Sequence, residues 1–136
     1  MYLGRIINMI VYVRKVFHHD TTHEISVKTD IVRSFFENRT LGVSFRGIRS
    51  GSEGEVTINS ATDPRFGGDF KKILADEGRA DINDILLIYK KDSEHYDVEI
   101  VKSGDSRYLD LFILFRGSDR HAFLQTREEL KLTGRY

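Results

Sequence analysis

A chain of 136 residues with no cysteine and a formal net charge of zero can form one domain with a substantial core, but it excludes disulfides and thiolate metal sites. No apolar run approaches the roughly 18 residues of a membrane-spanning helix. The apolar N-terminal stretch is interrupted by Arg5, Asn8, Arg14 and Lys15, and no small-residue cleavage site follows it, which argues against a signal peptide. We therefore expect a cytoplasmic protein with a single domain over residues 1–136.

Positive charge is distributed unevenly along this neutral chain. Residues 1–72 contain 11 Lys and Arg against 8 Asp and Glu, whereas residues 73–136 contain 10 against 13. The charged residues of two windows, 1–19 and 38–50, are all cationic. This distribution allows for a protein with one cationic face and an acidic back, although an ordinary scatter of surface charge accounts for it equally well.

In the first half of the chain, predicted strands alternate with polar loops. Four strands are predicted from β-branched composition and apolar–polar alternation, at residues 9–16, 24–29, 41–46 and 56–58. The loop at residues 17–23 is polar, and Asp30 is in a position to cap a short helix over residues 31–37. A glycine-rich loop separates the third and fourth strands. A polar loop that contains the single proline follows the fourth.

The second half is organised around a predicted hairpin. Residues 85–89 are an unbroken apolar run between turn residues, which is typical of a strand buried on both faces. After a polar tip at residues 90–95, residues 96–100 alternate apolar and acidic side chains, as in a strand with one solvated face. Because the first arm needs a cover on both sides, the rest of the chain is expected to form a closed or two-layered β structure around it.

The elements that flank this hairpin complete the predicted fold. A helix is predicted over residues 69–77, with Asp69 as its cap and Gly78 at its end. Further strands are predicted at residues 111–115 and 121–126, and a short terminal helix at residues 126–130. The class is therefore mainly β with short helices (α+β), an open barrel of seven or eight strands with two or three helices at its ends.

Motifs for catalysis and metal binding are weak in this sequence. No serine lies in a strand–turn–helix elbow, so a nucleophilic triad is not predicted. The histidines at 18, 19 and 23 match no zinc-ligand spacing. We expect no cofactor, no metal and no enzymatic activity.

Two alternatives to a simple binding role remain open. One is a small metal-dependent nuclease that uses Asp84, Asp97 and Glu99, although Glu99 and Lys102 would lie on opposite faces of a strand. The other is a protein-interaction module whose exposed strand edges recruit a partner.

Two polar loops in the more basic half combine cations with short hydrogen-bonding side chains. Arginine, asparagine and carboxylate side chains read guanine, adenine and cytosine edges in a major groove, and nearby arginines can neutralise phosphates. Two ordinary surface loops would have the same composition. The candidate DNA-binding residues are Arg14, Lys15, His18, His19, Thr21, Thr22 and His23 in the first loop, Asn59, Ser60, Thr62, Asp63 and Arg65 in the second, and Arg46 and Arg49 between them.

The order of these elements, together with a hairpin signature, carries a family resemblance. The signature is Asn83-Asp84-Ile85 leading into a strand, then the stretch from Tyr96 to Gly104, and the tail around Phe115-Arg116-Gly117 completes it. The chain resembles the DNA-binding pseudobarrel of plant transcription factors of the B-three type. It is still more similar to the target-recognition domains of restriction endonucleases such as BfiI and EcoRII.

The resemblance implies a domain that grips the major groove of double-stranded DNA with two arms. The N-arm would be residues 14–23 and the C-arm residues 59–65, with Arg46 and Arg49 along the phosphates or at a base edge. In that family the catalytic centre lies in a separate domain. The resemblance therefore implies a non-catalytic recognition module of a larger restriction protein, monomeric in isolation, with double-stranded DNA and other domains or subunits of the restriction enzyme as partners.

Overall fold

The computed structural model describes residues 8–22, 24–38, 42–58, 63–115 and 119–127, which contain six strands and four short helices. In chain order these are β1 (Asn8–Lys15), α1 (His18–Thr22), α2 (Thr29–Ser34), β2 (Val43–Gly47), β3 (Glu53–Val56), α3 (Phe70–Asp76), β4 (Ile85–Lys90), β5 (His95–Val101), α4 (Tyr108–Phe112) and β6 (His121–Arg127). None of the helices in these described ranges is long and apolar enough to cross a membrane.

The predicted hairpin is confirmed as the centre of the sheet. β4 and β5 pair antiparallel, with Ile85 opposite Val101 and Lys90 opposite Tyr96. The Asp92 carboxylate accepts the N–H groups of Glu94 and His95, which shapes the polar tip as an Asx-type turn. Residues 85–89 of β4 are buried without a break, as the apolar run predicts.

The six strands form one mixed sheet in the order β3-β2-β5-β4-β1-β6. The pair β2–β5 is parallel and the other four pairs are antiparallel. β3 and β6 are the two edges of this sheet, so the described residues show an open sheet and not a closed barrel. The coarse prediction, mainly β with short helices, is confirmed.

Both faces of the sheet are covered. On one face, α2, α3 and the irregular segments around Ile25 and Phe66 enclose the larger core, in which rings such as those of Phe45, Phe66 and Phe70 pack edge to face or stacked. On the other face, α4 and Phe115 cover a smaller core. Residues of β4 alternate between the two cores, which explains why its sequence is apolar throughout.

Several predicted elements are wrong in detail. The stretch at residues 24–29 forms only one isolated bridge, Ser26 to Arg65, and its last residue starts α2. The segment at residues 111–115, predicted as a strand, begins inside a helix, because Tyr108, Leu111 and Phe115 recur at helical spacing and point into the smaller core.

Three helix ends also differ from expectation. The N-cap of α2 is Lys28, and Asp30 lies in the first turn, where it pairs with Arg33. Asp69 does precede α3, but its carboxylate accepts the N–H of Glu55 on the neighbouring strand. Residues 126 and 127 belong to β6, and the remainder of the predicted terminal helix lies outside the described residues.

The predicted solvated face of β5 is also partly closed. Glu99 is buried, because it accepts hydrogen bonds from Arg107 at 2.7 Å and from the Tyr89 hydroxyl at 2.8 Å. Arg107, from the segment that follows β5, and the Tyr89 hydroxyl, from β4, therefore cover this part of the face of β5.

Candidate nucleic-acid interface

The structure places the end of the predicted C-arm against the chain that directly follows the predicted N-arm. The N–H of Val27 donates to the carbonyl of Pro64 at 2.8 Å, and the N–H of Phe66 donates to the carbonyl of Ile25 at 2.9 Å. Arg65 adds a hydrogen bond from Nη1 to the carbonyl of Glu24 at 3.0 Å. The end of the C-arm therefore pairs with a segment about 40 residues earlier in the sequence, directly after the N-arm.

The predicted N-arm loop contains a short helix, α1. Asp20 points inward and is buried, and it accepts the N–H of Phe17 at 2.8 Å. His18, His19 and Thr21 are exposed, and the Thr21 hydroxyl donates to the carbonyl of His18. The helix thus presents three of the predicted DNA-binding side chains to solvent while one carboxylate anchors it.

Arg14 is not on this exposed surface. Its side chain is fully buried, and Nη1 and Nη2 donate to the two carboxylate oxygens of Asp20 at 2.9 Å each. The same guanidinium also donates to the carbonyl and the hydroxyl of Ser26 and to the carbonyl of Lys15. All of its donor nitrogens are engaged inside the protein, so the sequence-based assignment of Arg14 to a base or a phosphate conflicts with this geometry.

Lys15 projects to the opposite face of the sheet from Arg14, because successive strand residues alternate. Its Nζ lies 4.5 Å from the ring centroid of Phe112, and the rings of Phe17 and Phe115 are within 5.5 Å. The side chain is buried in this aromatic setting. Like Arg14, it is enclosed where the sequence suggested a surface contact.

The described C-arm residues remain near the surface. Arg65 Nη2 lies 2.6 Å from the Asp63 carboxylate, and the two side chains are 28% and 67% exposed. Backbone pairing on both sides of Arg65 holds it in place. The predictions for the side chain of Thr22 and for His23, Asn59, Ser60 and Thr62 lie outside what the structure describes.

Arg46 and Arg49 lie on the face of the sheet that carries the smaller core, opposite the face that residues 24–27 and 64–66 cover. Arg46 pairs with Glu53 at 3.9 Å, and Arg49 approaches Glu99 and Asp105 at 4.0 and 3.9 Å. β2 runs in the same direction as β1, so the turn of Arg49 and helix α1 follow strands that end on the same side. The two strands between them, β5 and β4, set a lateral offset of about 14 Å, three inter-strand spacings.

Glu77 fixes the turn that carries Arg49. Its carboxylate oxygens accept the backbone N–H groups of Arg49 and Ser50 at 2.9 and 3.0 Å, and the side chain is buried. Sequence reasoning missed this role, because Glu77 lies at the end of α3, 28 residues from the turn. No local pattern signals such a contact.

His121 lies partly buried beside Tyr12, near several cations. Burial lowers its pKa to about 4, and the charges of Arg14, Arg120 and Lys28 act in the same direction. Its Nδ1 lies 2.6 Å from the Tyr12 hydroxyl, and burial raises the pKa of that hydroxyl. With both groups neutral, the imidazole tautomer decides which of the two donates this hydrogen bond.

The three carboxylates considered for a nuclease are each engaged by a cation of the chain. Asp84 pairs with Lys102 at 2.7 Å, Asp97 with Lys91 at 3.5 Å and Glu99 with Arg107 at 2.7 Å. Within the ranges that the structure describes, no group of three His, Asp or Glu side chains is arranged to hold a metal ion.

Comparison with known proteins finds this fold among solved structures. The fold is similar to that of the N-terminal domain of Helicobacter pylori LlaJI.R1, a restriction-system protein, with a TM-score of 0.79 and 32% sequence identity. The match covers 85% of this chain and 98% of that one. No protein-family model and no curated protein sequence matches the chain.

Proposed function

The chain belongs to the family of the LlaJI.R1 N-terminal domain, a domain of a restriction-system protein, and from this premise we propose that it is a sequence-specific double-stranded DNA-binding domain. It would act in a restriction–modification system as the part that recognises the target. The parent protein's other domains or subunits would supply any motor or nuclease activity.

The observation that carries this proposal, beyond the family, is the juxtaposition of the two arms. Helix α1 exposes His18, His19 and Thr21, and the backbone bonds between residues 24–27 and 64–66 bring Arg65 and Asp63 alongside. Side chains of these types donate to or accept from base edges in the major groove. Arg49, whose turn follows β2 at the same end of the sheet but on its other face, would reach the DNA backbone.

We also propose that the fold is a pseudobarrel of the B-three type. Two isolated bridges, Ser26 to Arg65 and Ile58 to Phe66, add β pairing beyond the six-stranded sheet. They lie over one face of that sheet, at the edge of the larger core. Pairing of this kind is expected where an open sheet curls towards closure.

The domain itself would be non-catalytic and would bind as a monomer. One domain with two different arms suits an asymmetric site. A nuclease built on Asp84, Asp97 and Glu99 would have to break the ion pair of each carboxylate before it could bind a metal.

A selection from a randomised duplex pool, at about 0.1 M salt, tests the proposal, since non-specific binding is strongly screened there. Enrichment of one short motif is the expected result. Its asymmetry would report whether one copy suffices. Binding without an enriched motif, on plain and on methylated duplexes, would contradict sequence reading. No binding even at low salt would contradict the DNA-binding function.

A further inference from the structure

Some lysine and arginine side chains of this protein form an ion pair with a carboxylate, and others do not. Most of the described lysine and arginine side chains lie within 4.0 Å of an Asp or Glu, as Arg33 does with Asp30 and Lys72 with Asp76. Lys28, Lys71 and Arg120 form no such pair with the carboxylates of the described residues. None of these three was predicted from the sequence as a DNA contact.

All three border the N-arm, whereas Lys15, the other described cation without a carboxylate within 4.0 Å, is buried among aromatic rings. The Arg120 guanidinium stacks over the ring of Phe17, with its central carbon 4.4 Å from the ring centroid, and the Arg120 carbonyl accepts the N–H of Lys15 at 3.0 Å. Arg120 therefore contacts Lys15 through its backbone and Phe17 through its side chain, and these two residues lead from β1 into α1.

Lys71 lies on the other side of α1. It lines a shallow groove of about 100 Å³ between α3 and α1, together with Asp20 and Thr21. Its side chain is exposed. The carboxylate of Asp20, which shares this groove, is buried and already bound by Arg14.

Lys28 directly follows residues 24–27, the segment that pairs with the end of the C-arm. It is the N-cap of α2, it is exposed, and Val27 before it donates to the C-arm carbonyl of Pro64. Its charge reaches His121, together with the charge of Arg120. The three cations thus lie beside α1 and the junction of the arms.

We propose that Lys28, Lys71 and Arg120 form the phosphate-contacting rim of the DNA interface. The inference rests on the proposed function and adds a set of residues to it. A surface cation that is paired with a carboxylate must weaken that ion pair before it can contact a phosphate. An unpaired cation exchanges only counterions when it contacts a phosphate. Arg120 has the further advantage that its stack on Phe17 orients the guanidinium before binding.

A matched pair of triple variants tests this rim. The first is K28Q/K71Q/R120Q; the control is R33Q/K72Q/K91Q, which removes the same charge from the paired cations of α2, α3 and the hairpin tip. Each phosphate contact contributes about 0.9 to the log–log salt slope, so the rim variant should lose about 2.7 of that slope. Its affinity at about 0.1 M salt should fall roughly 10²- to 10³-fold. The control should keep the wild-type slope.

The outcomes separate this inference from the proposed function. If the wild type binds DNA and both triple variants weaken equally, net charge alone acts and the rim does not exist. An unchanged rim variant would overturn the inference just as clearly. If the wild type fails to bind any duplex, the proposed function fails first, and this inference with it.

Arg120 needs one additional variant, because loss of its stack on Phe17 could disturb the fold. R120K keeps the charge and removes the planar stack. The salt slope of R120K should match that of the wild type, with thermal unfolding of R120K and R120Q recorded beside it. A slope reduced equally in R120K and R120Q would mean that packing, and not phosphate contact, is the role of Arg120.

Discussion

Arg14 and Asp20 form a two-point ion pair inside the protein, with both guanidinium–carboxylate distances at 2.9 Å and side chains that are 0% and 1% exposed. Arg14 is the second-last residue of β1, and Asp20 lies in α1, the short helix within the N-arm. The pair therefore sets how α1 sits on the sheet. An arginine that composition suggests as a reader of DNA is instead the anchor of the arm.

Replacing Arg14 should destabilise the protein. Arg14→Ala leaves the Asp20 carboxylate buried without its partner, which typically costs about 3–5 kcal/mol in the free energy of unfolding. Urea denaturation followed by far-UV circular dichroism measures this change. Arg33→Ala, which breaks an exposed pair with Asp30, is the matched control and should cost less than about 1 kcal/mol. A stable Arg14→Ala protein with relaxed preference at one base pair would show that Arg14 reaches the DNA.

Arg65 should read one base pair. If its guanidinium is bidentate to guanine, Arg65→Ala should weaken binding to the selected site by about 1–3 kcal/mol and relax the preference at a single position. Arg65→Lys keeps the charge without the two-point geometry, so it should show nearly the same loss of preference with a smaller loss of affinity. A selection repeated on both variants gives the answer, and an equal loss on all sequences would assign Arg65 to a phosphate.

Binding should depend steeply on salt. Contact of about five cations with phosphates predicts a slope of about −4 to −5 when log affinity is plotted against log salt concentration. Fluorescence anisotropy with a labelled duplex between low and moderate salt measures this slope. An affinity that does not change with salt would rule out a phosphate-dominated interface.

The domain should leave DNA uncut. Plasmid incubated with the pure protein and Mg²⁺ or Mn²⁺ should stay supercoiled on an agarose gel, because Lys102, Lys91 and Arg107 occupy the carboxylates that a metal would need. Nicking that disappears in a Glu99→Gln variant would support the nuclease alternative instead. Nicking that persists in this variant would indicate a contaminant.

Stability should decrease on mild acidification because of His121. Its folded-state pKa of about 4 lies below the ordinary value of 6.5, so between these values the unfolded chain binds a proton that the folded chain does not. The free energy of unfolding should therefore fall as the pH drops from about 6.5 towards 4. Urea denaturation at several pH values measures the fall.

His121→Gln isolates this contribution from the carboxylates that titrate in the same range. Glutamine can still accept a hydrogen bond from the Tyr12 hydroxyl, so the variant should fold while its stability changes less between pH 6.5 and 4. Proton NMR of the imidazole gives a direct control. Titration of His121 near its ordinary value would contradict the proposed electrostatic environment.

Local sequence patterns were sufficient for the elements whose partners are adjacent in the chain. The apolar run of β4, the turn residues at Asp92 and the alternation of β5 define the hairpin, because its two strands need only each other to set their register. The end of α3 at Gly78, where φ is +120°, follows from the backbone preference of glycine in the same way.

The errors arose where distant segments decide the structure. The alternation at residues 24–29 satisfies a strand, but within the described residues its β pairing is with the C-arm, through a single bridge at Arg65. The apolar run at residues 111–115 by itself fits a strand or a helix equally well, and only burial of Tyr108, Leu111 and Phe115 together in the smaller core goes with the helix.

The sequence by itself determined the β-rich class, the central hairpin, and which two polar segments were candidates for an interface. Only the tertiary structure decided that the end of the C-arm pairs with the segment after the N-arm, that Arg14 and Lys15 point inward, and that Lys28, Lys71 and Arg120 border the N-arm. The physical reason is the distance along the chain over which each effect acts. Periodicity and turn chemistry act over a few residues, whereas burial of a charge depends on a partner such as Asp20 or a cover such as Phe112, which folding alone brings into place.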